Sequence, residues 1–542
     1  MLNRFIRVLT VQNTKRLAPY LAVLGLFFVV RLAHANADPP LGLPNGLGAH
    51  ELMVEPIAKA HEARNWALTG HWKTSDVDNY EFWRAQSWAW VYPLALWMRL
   101  FGVSYVSLHA FTTTVAALGF VAVLLLATRR RGVRGAVVVG VMLALNYYDV
   151  VYHRVGLIET AVNTWIAWTV VFLDRARDNG YALSAALVTF FLGFFSKLNI
   201  LVFGPMALGF GLVFFVRSIR RKPADGEPPR TIARRLVRWT PVLQALVMLG
   251  LVAWYCTREA YTRSLIRNTG HVVLGKLAKT SEELDTSNLG DAFARYVNPD
   301  TWTSSLLAVV PVALPLAVIQ ILRVPLAWIR RRDLDHGFTL LVGAWLVSAT
   351  FTFAAAPNDI RFRLGTIAPA CLLAGSLLVD AYLAARDYVA RTRPHAWTRW
   401  AWASGALVAS IVCASFLLWV PAYKTAWLDR KYDLLIANRR IREIVGDRAD
   451  ATVVGSWAGP IVFETPYRYY YVRAEFNSTR AALASLGITH VLLAPTGNDF
   501  TGNALRRNFS NLMKLIKQRG TLDVRGRAVL VYEVVGEMTV RP

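Results

Sequence analysis

The sequence predicts a polytopic α-helical membrane protein that ends in a small α/β domain. Hydrophobic residues make up 55% of the 542-residue chain, and the mean hydropathy is +0.35, which is more than a soluble core needs. Apolar runs of about 18 residues or more recur through residues 1–420, and this length spans a bilayer as a helix. Residues 421–542 instead alternate short apolar strands with helical patterns.

The charge of the chain is strongly basic, with 60 Lys and Arg against 35 Asp and Glu and a formal net charge of +25. In a soluble protein this excess would suggest a nucleic-acid partner. Here the cations cluster in short loops between apolar runs, which is the distribution of topology signals that face anionic lipid head groups. We therefore expect membrane lipids, and no nucleic acid, as partners of these basic loops.

The order of the spans follows from the positive-inside rule, which places cationic loops in the cytoplasm. Basic residues precede a first span near residues 17–35, and a long external loop follows at 36–105. The total is about eleven spans. The others are predicted near residues 106–127, 135–150, 158–174, 181–196, 199–216, 239–257, 303–327, 337–356, 364–385 and 401–420. The linker 217–238 is then cytoplasmic, and the loop 258–301 and residues 421–542 are external.

The start of the chain has a second interpretation, because its apolar stretch ends in Ala33-His34-Ala35. A basic segment, an apolar segment and small residues are also typical of a secretory signal with its cleavage site. Both interpretations place the following residues outside the cytoplasm.

The tail, residues 421–542, is predicted to be a small external α/β domain that serves as a lid or a brace. Its strands are predicted at Thr452–Val454, Ile488–Ala494 and Ala528–Tyr532. Ser478 or Thr479 is predicted to cap a helix that ends before Gly487.

Several ionisable residues are expected at one depth on the external face. They are the carboxylates Glu55 and Glu159 and the cations Arg154, Lys197, Arg361 and Arg363. An ionisable group near hydrocarbon is costly unless it pairs or has a function, so this set is a hypothesis for a functional site. The alternative is local pairing of Arg154 with Glu159, or of Asp359 with Arg361.

Three segments in the first part of the chain resemble a known group of enzymes. The segments are Glu55–Trp72, Tyr92-Pro93-Leu94 and Leu100-Phe101-Gly102. They resemble the start of polyprenyl-phosphate-sugar-dependent glycosyltransferases of the GT-C superfold, which include bacterial relatives of the protein O-mannosyltransferases and the lipid A aminoarabinose transferases. The resemblance continues through His153–Glu159, Gly193–Asn199 and Arg361–Gly375.

The resemblance implies a GT-C fold and a glycosyltransferase that moves a sugar from a polyprenyl-phosphate donor to a hydroxyl group. The acceptor would be a lipid, a glycan or a protein. It also implies a multi-pass protein of the bacterial inner membrane whose active site faces the periplasm.

The roles of the site residues follow from the implied reaction. A carboxylate must take the proton of the acceptor hydroxyl, and Glu55 is our candidate for this general base. Cations must stabilise the departing lipid phosphate, and Lys197, Arg361, Arg363 and Arg154 are the candidates. Glu159 would orient the acceptor, bind a divalent ion together with Glu55, or hold Arg154. A single base opposite the leaving group predicts inversion at the anomeric carbon.

The chain departs from the pattern of these enzymes at two places. Relatives usually carry Asp-Glu where this chain has Glu55-Pro56, and a match to His50-Glu51 would make Glu51 the base. Pro56 would suit the first turn of a helix. The Lys-Pro-Pro-Leu form of the aminoarabinose transferases is replaced by Val91-Tyr92-Pro93-Leu94, which argues against aminoarabinose as the donor sugar.

No cofactor is expected to be required. The residues leave open a divalent metal bound among Glu55, His61, His153 and Glu159, although no local ligand spacing supports it. Two alternatives from other classes are a transporter or flippase for a lipid-linked sugar and a non-catalytic membrane scaffold of the same fold. A transporter would show internal repeats and charges at mid-membrane, and neither feature is evident in the sequence.

Overall fold

The described part of the chain is mostly helical and contains one sheet, near the carboxyl terminus. A computed structural model of the chain describes residues 11–40, 49–74, 87–220, 232–258, 306–329, 336–355, 360–392, 397–448, 450–472, 479–495, 499–509 and 512–536. Within these ranges, every strand lies after residue 451.

The helices of the first part of the chain run from α1 to α15. The first eight are α1 Val11–Leu32, α2 Ala49–Thr69, α3 Trp88–Phe101, α4 Tyr105–Ala144, α5 Tyr147–Tyr152, α6 Glu159–Ala176, α7 Ala182–Phe194 and α8 Gly204–Arg220. The others are α9 Ile232–Arg258, α10 Leu306–Val309, α11 Ala313–Ile329, α12 His336–Ala355, α13 Ile367–Thr392, α14 Trp397–Leu417 and α15 Val420–Trp427. Two 3-10 segments, Leu198–Phe203 and Ile360–Thr366, lie before α8 and α13.

Among the residues that the structure describes, four helical segments are long and apolar enough to cross a membrane, which agrees with the predicted class. They are Tyr105–Ala144, Ile200–Arg217, Arg363–Thr392 and Thr398–Leu417. Shorter apolar helices occur at Leu17–Leu32, Ala182–Phe194, Trp239–Leu251, Ala313–Leu326 and His336–Thr350. The total of about eleven spans stays a prediction, because much of the linker 217–238 and nearly all of the loop 258–301 lie outside the described residues.

Helix α4 covers both spans that were predicted on either side of the basic turn at residues 129–134. It is kinked there, since Arg131 and Gly132 leave helical geometry, and Gly132 has a φ of +61° that favours glycine. The predicted span 135–150 ends earlier, at Ala144. Asn146 accepts a hydrogen bond from the Asp149 backbone N–H at 3.0 Å and caps the separate helix α5.

The membrane part packs around α4, which contacts α1, α6 and α13. A buried ion pair joins α1 to α5, because Arg31 binds the carboxylate of Asp149 and also donates to the Ala144 carbonyl at 3.1 Å. Gly119 of α4 lies against Thr164 of α6, where an added Cβ would come within 3.0 Å of the Thr164 Cα. Small residues at such contacts let membrane helices approach closely.

The described residues of the tail form five strands and several short helices. They are α16 Asp433–Val445, β1 Thr452–Val454, α17 Ala458–Val462, β2 Arg468–Tyr470, α18 Arg480–Ser485, β3 His490–Leu493, α19 Phe500–Asn508, α20 Leu512–Leu515, β4 Ile516–Val524 and β5 Arg527–Val534. The five-stranded sheet has the order β2-β1-β3-β5-β4. Strand β1 is parallel to β2 and β3, and β5 is antiparallel to β3 and β4.

Strands β2 and β4 are the two that the sequence did not predict. Strand β2, Arg468-Tyr469-Tyr470, is as short as β1 but lacks the β-branched residues of β1. Strand β4 lies at an edge of the sheet, and its first half does not alternate, because residues 517–519 are all exposed and an irregularity lies between Gln518 and Gly520.

The linker after α1 ties the tail to the membrane part. The Asp38 carboxylate accepts hydrogen bonds from the backbone N–H groups of Asp433 at 2.9 Å and Leu434 at 3.2 Å. These donors belong to the first turn of α16, where free N–H groups need an acceptor. Asp38 therefore caps a helix that lies far away in the sequence.

Candidate active site

The helix that carries Glu55 begins at Ala49, so Pro56 lies inside it and the expected position of Pro56 in a first turn is wrong. Glu55 and Lys59 are one turn apart and share a face of this helix. The Lys59 Nζ atom lies 2.6 Å from Glu55 Oε1. The Glu51 side chain lies outside the described residues, so the alternative base stays a prediction.

Three other elements bring charged groups to the same place. Glu159 lies in the first turn of α6, where the helix dipole favours a carboxylate. Lys197 lies in the turn between α7 and the 3-10 segment Leu198–Phe203, and Arg361 lies in the 3-10 segment that precedes α13. Lys197 pairs with Glu159, and Arg361 pairs with Glu55.

Longer contacts join these pairs into one group, which we call the ion cluster: Glu55, Lys59, Glu159, Lys197 and Arg361. Lys59 Nζ lies 3.7 Å from Glu159 Oε2, and Arg361 Nε lies 3.9 Å from Glu159 Oε1. The cluster holds three cations and two carboxylates, so it carries one net positive charge when all five groups are ionised.

The ion cluster is closed on one side and open on the other. The Lys59 side chain is 0% exposed and that of Glu159 is 7% exposed. The side chains of Glu55 and Arg361 are 22% and 18% exposed, and that of Lys197 is 19% exposed. A ligand would therefore reach the cluster from the side of these three residues.

The pKa of Glu55 reflects two opposed effects. Burial favours the neutral acid and would raise the pKa, but the charges of Lys59, Arg361 and Lys197 outweigh it, so the pKa lies below its ordinary value. The Glu55 carboxylate, which lies on α2 outside the predicted spans, is therefore ionised at neutral pH.

The remaining predicted residues lie as follows. Arg154 is buried and donates to the His34 carbonyl at 2.6 Å, beside the linker that follows α1. Arg363 is buried in the 3-10 segment Ile360–Thr366, two residues after Arg361. Asp359, the proposed local partner of Arg361, lies outside the described residues.

Lys59 is the member of the cluster that sequence reasoning missed. The available signal was the spacing of Glu55 and Lys59, which is typical of an ion pair on one helix. With the helix predicted to begin near Pro56, Glu55 would precede the helix, and the spacing would not place Glu55 and Lys59 on one helical face.

The two histidines considered as metal ligands have other partners. His153 Nδ1 lies 3.1 Å from Asp149 Oδ1, and His61 Nε2 lies 3.0 Å from the side-chain amide of Asn65. Among the described residues, no group of three or more His, Cys, Asp or Glu side chains could hold a metal ion.

No family model matches the sequence, and no curated protein matches it. Solved structures do match the fold. The structure of ArnT from Cupriavidus metallidurans bound to undecaprenyl phosphate matches with a TM-score of 0.55 and 13% identity over 97% of this chain and 99% of that one. An Archaeoglobus fulgidus oligosaccharyltransferase tethered with an acceptor peptide matches with a TM-score of 0.51 and 9% identity over 89% of this chain and 69% of that one.

The chain has the GT-C fold. Both matched proteins are GT-C glycosyltransferases, and the apo form of ArnT matches in the same way, with a TM-score of 0.54. The oligosaccharyltransferase also matches in a complex with Zn and sulfate, with a TM-score of 0.51 and 10% identity. The GT-C fold that the sequence resemblance implied is therefore confirmed. On this GT-C scaffold, the ion cluster joins α2 to α6 and to the segments before α8 and α13.

Proposed function

We propose that the chain is an integral membrane inverting glycosyltransferase that uses a polyprenyl-phosphate sugar. The observation that carries the proposal is the ion cluster, in which Lys59, Lys197 and Arg361 surround Glu55 and Glu159. The GT-C fold supports it, since the matched ArnT was bound to undecaprenyl phosphate and the matched oligosaccharyltransferase to an acceptor peptide.

The charge of the cluster suits a phosphodiester donor. A sugar linked through one phosphate to a polyprenol carries one negative charge, which would neutralise the single positive charge of the cluster. Lys197 and Arg361 are partly exposed and would bind the phosphate oxygens, with Lys59 behind them. Arg363 remains a further candidate, whereas the bond of Arg154 to the His34 carbonyl favours a structural role.

Donor binding would also prepare the base. The phosphate competes with Glu55 for Lys59 and Arg361, so the pKa of Glu55 would rise from its lowered value when the donor binds. Glu55 then becomes a better proton acceptor at the moment when the acceptor hydroxyl must lose its proton.

The reaction is a single displacement. The acceptor oxygen attacks the anomeric carbon, the bond from this carbon to the phosphate oxygen breaks, and polyprenyl phosphate leaves with the electron pair. The proton of the hydroxyl passes to Glu55, and the cations stabilise the charge that develops on the leaving phosphate. Attack opposite the leaving group inverts the anomeric carbon. Glu159 holds Lys197 and Lys59 in place.

The acceptor is a hydroxyl group of a lipid, glycan or protein, and the transferred sugar is a hexose or a pentose. We place the reaction on the external face of a bacterial inner membrane, with about eleven spans before an external α/β tail. The predicted alternation of basic loops supports this topology.

The test is transfer of radiolabelled sugar by purified protein from polyprenyl-phosphate sugars into a cell-envelope extract. The proposal expects labelled product with the wild type, and no labelled product when nucleotide sugars replace the lipid donor. Lys197→Ala should reduce transfer at a low donor concentration more than at a saturating one. Absence of transfer from every polyprenyl-phosphate sugar would refute the proposal.

A further inference from the structure

Helix α2 has a second buried face that lies away from the ion cluster. Arg64 follows Glu55 by nine positions, which places it about 180° around the helix and about 14 Å along its axis. Arg64 is 1% exposed, so its charge is removed from water and needs compensation.

The tail supplies that compensation through a turn at residues 462–467, which follows α17. Arg64 Nε donates to the Phe463 carbonyl at 2.8 Å, and Nη2 donates to the carbonyls of Thr465 at 2.6 Å and Tyr467 at 2.9 Å. A further contact reaches the Val462 carbonyl at 3.3 Å. All four acceptors are backbone atoms, so the contact fixes main chain of the tail to α2.

Aromatic residues of β2 and its continuation support the same face. The guanidinium of Arg64 lies 4.9 Å from the centre of the Tyr469 ring. The Tyr469 hydroxyl donates to the Ile57 carbonyl at 3.4 Å, and the Tyr471 hydroxyl donates to the Val54 carbonyl at 3.3 Å. These two carbonyls flank Glu55 in the chain.

Close packing leaves α2 little room to move toward the tail. A Cβ added to Gly459 of α17 would lie 1.9 Å from the Tyr471 hydroxyl and 3.1 Å from Ile57. The tail thus contacts the back of the same helical turn whose front carries Glu55 and Lys59.

We infer that the tail acts as a clamp on α2, and that Arg64 is a positioning residue for Glu55. The inference rests on the proposed function, because it assigns the clamp the task of holding the general base against the donor. A displacement of about 1 Å at a reacting group can cost about 100-fold in rate. A fixed external domain would prevent such displacements of α2.

Arginine suits this task better than lysine. Its planar guanidinium presents several N–H donors in a rigid fork, and here the fork reaches carbonyls of Phe463, Thr465 and Tyr467 at once. A lysine would keep the charge but would concentrate its donors at one atom. Arg64→Lys should therefore weaken the contact between the tail and α2 without creating a large cavity.

The test compares Arg64→Lys with Arg442→Lys. Arg442 lies on α16, is exposed, and binds the Glu464 carbonyl of the same turn from within the tail, so it serves as the control. We expect Arg64→Lys to lower kcat by about 10- to 100-fold with the donor KM within about three-fold of wild type. We expect Arg442→Lys to keep kcat within about two-fold.

Hydrogen exchange of the α2 backbone amides provides a readout that needs no transfer. The clamp predicts faster exchange at residues 52–60 in Arg64→Lys than in Arg442→Lys. Equal exchange, or wild-type kcat in Arg64→Lys, would overturn the inference. If the wild type transfers no sugar, the proposed function fails, and the exchange comparison still decides whether the clamp exists.

A second variant covers the case in which Arg64→Lys does not fold. Tyr471→Phe removes only the hydroxyl that donates to the Val54 carbonyl. The clamp predicts a kcat about two- to five-fold lower with unchanged thermal stability. Unchanged kcat and unchanged exchange at residues 52–60 in Tyr471→Phe would then overturn the inference.

Discussion

Lys59 pairs with Glu55 across one turn of α2, with Nζ and Oε1 2.6 Å apart, and the Lys59 side chain has no exposed surface. The same ammonium group lies 3.7 Å from Glu159 Oε2. One buried cation therefore holds together two carboxylates that are far apart in the sequence and would otherwise repel each other.

Lys59→Met should weaken donor binding. The substitution keeps a side chain of similar length but leaves the cluster with two cations and two carboxylates, so its net positive charge is lost. We expect the donor KM to rise by about 10-fold or more in steady-state transfer assays. The matched control is Lys514→Met on α20, an exposed lysine of the tail, which should leave the KM unchanged.

The pH dependence of transfer should report the lowered pKa of Glu55. Because the neighbouring cations favour the ionised carboxylate, Glu55 should keep its charge as the pH falls to its ordinary pKa of 4.5 and should gain a proton only below it. The acid limb of kcat/KM, which reports the free enzyme, should therefore lie below pH 4.5.

Removal of Lys59 should move this limb. Without the charge of Lys59, the pKa of Glu55 rises. The acid limb of the kcat/KM profile should therefore lie at a higher pH in Lys59→Met than in the wild type. An identical acid limb in the two proteins would mean that another group controls the profile.

Asp38→Ala should loosen the attachment of the tail. The substitution removes the acceptor of the Asp433 and Leu434 N–H groups at the start of α16. Loss of such a cap costs about 1 kcal/mol. The thermal unfolding of Asp38→Ala, followed with a spectroscopic probe attached to the tail, should have a lower midpoint temperature than that of the wild type. Asp38→Asn keeps an acceptor oxygen, so its midpoint should fall less.

Gly119→Ala should separate α4 from α6. The new methyl group would lie 2.8 Å from Thr164 Oγ1 and 3.0 Å from its Cα, and the backbone cannot rotate away. We expect a loss of about 1–3 kcal/mol in stability and a lower Tm. Gly25→Ala on α1 is the control, because an added Cβ there meets no atom within 4 Å. Equal Tm values for the two variants would argue against the close α4–α6 contact.

The sequence predicted the class of fold because its strongest signals are local. Apolar length and the positive-inside pattern need no tertiary information. In the tail, Thr479 was one of two predicted caps, and the structure shows it accepting from the Ala482 N–H at 3.3 Å, before Gly487 with a φ of +60°. These features depend on a few adjacent residues.

The parts that the sequence did not predict depend on contacts between distant segments. The contact of Lys59 with Glu159 and the contacts of Arg64 with the 462–467 turn join segments that are far apart in the sequence. Arg154 is a phosphate-binding candidate because it lies at the predicted outer junction of two spans, and its bond to the His34 carbonyl is a long-range contact that the sequence did not indicate. The segment between α5 and α6 is short and irregular, so neighbouring residues in it point in different directions. Sequence spacing does not predict these directions.

The most direct test of the account measures donor binding and transfer together in the wild type and in Glu55→Gln. Polyprenyl-phosphate binding is measured at equilibrium, and transfer of radiolabelled sugar is measured at saturating donor. Because Gln keeps the shape but removes the base and a competitor of the phosphate, we predict binding as tight as or tighter than wild type and transfer lower by about 100-fold or more. Wild-type transfer by folded Glu55→Gln would contradict the assignment of Glu55 as the base.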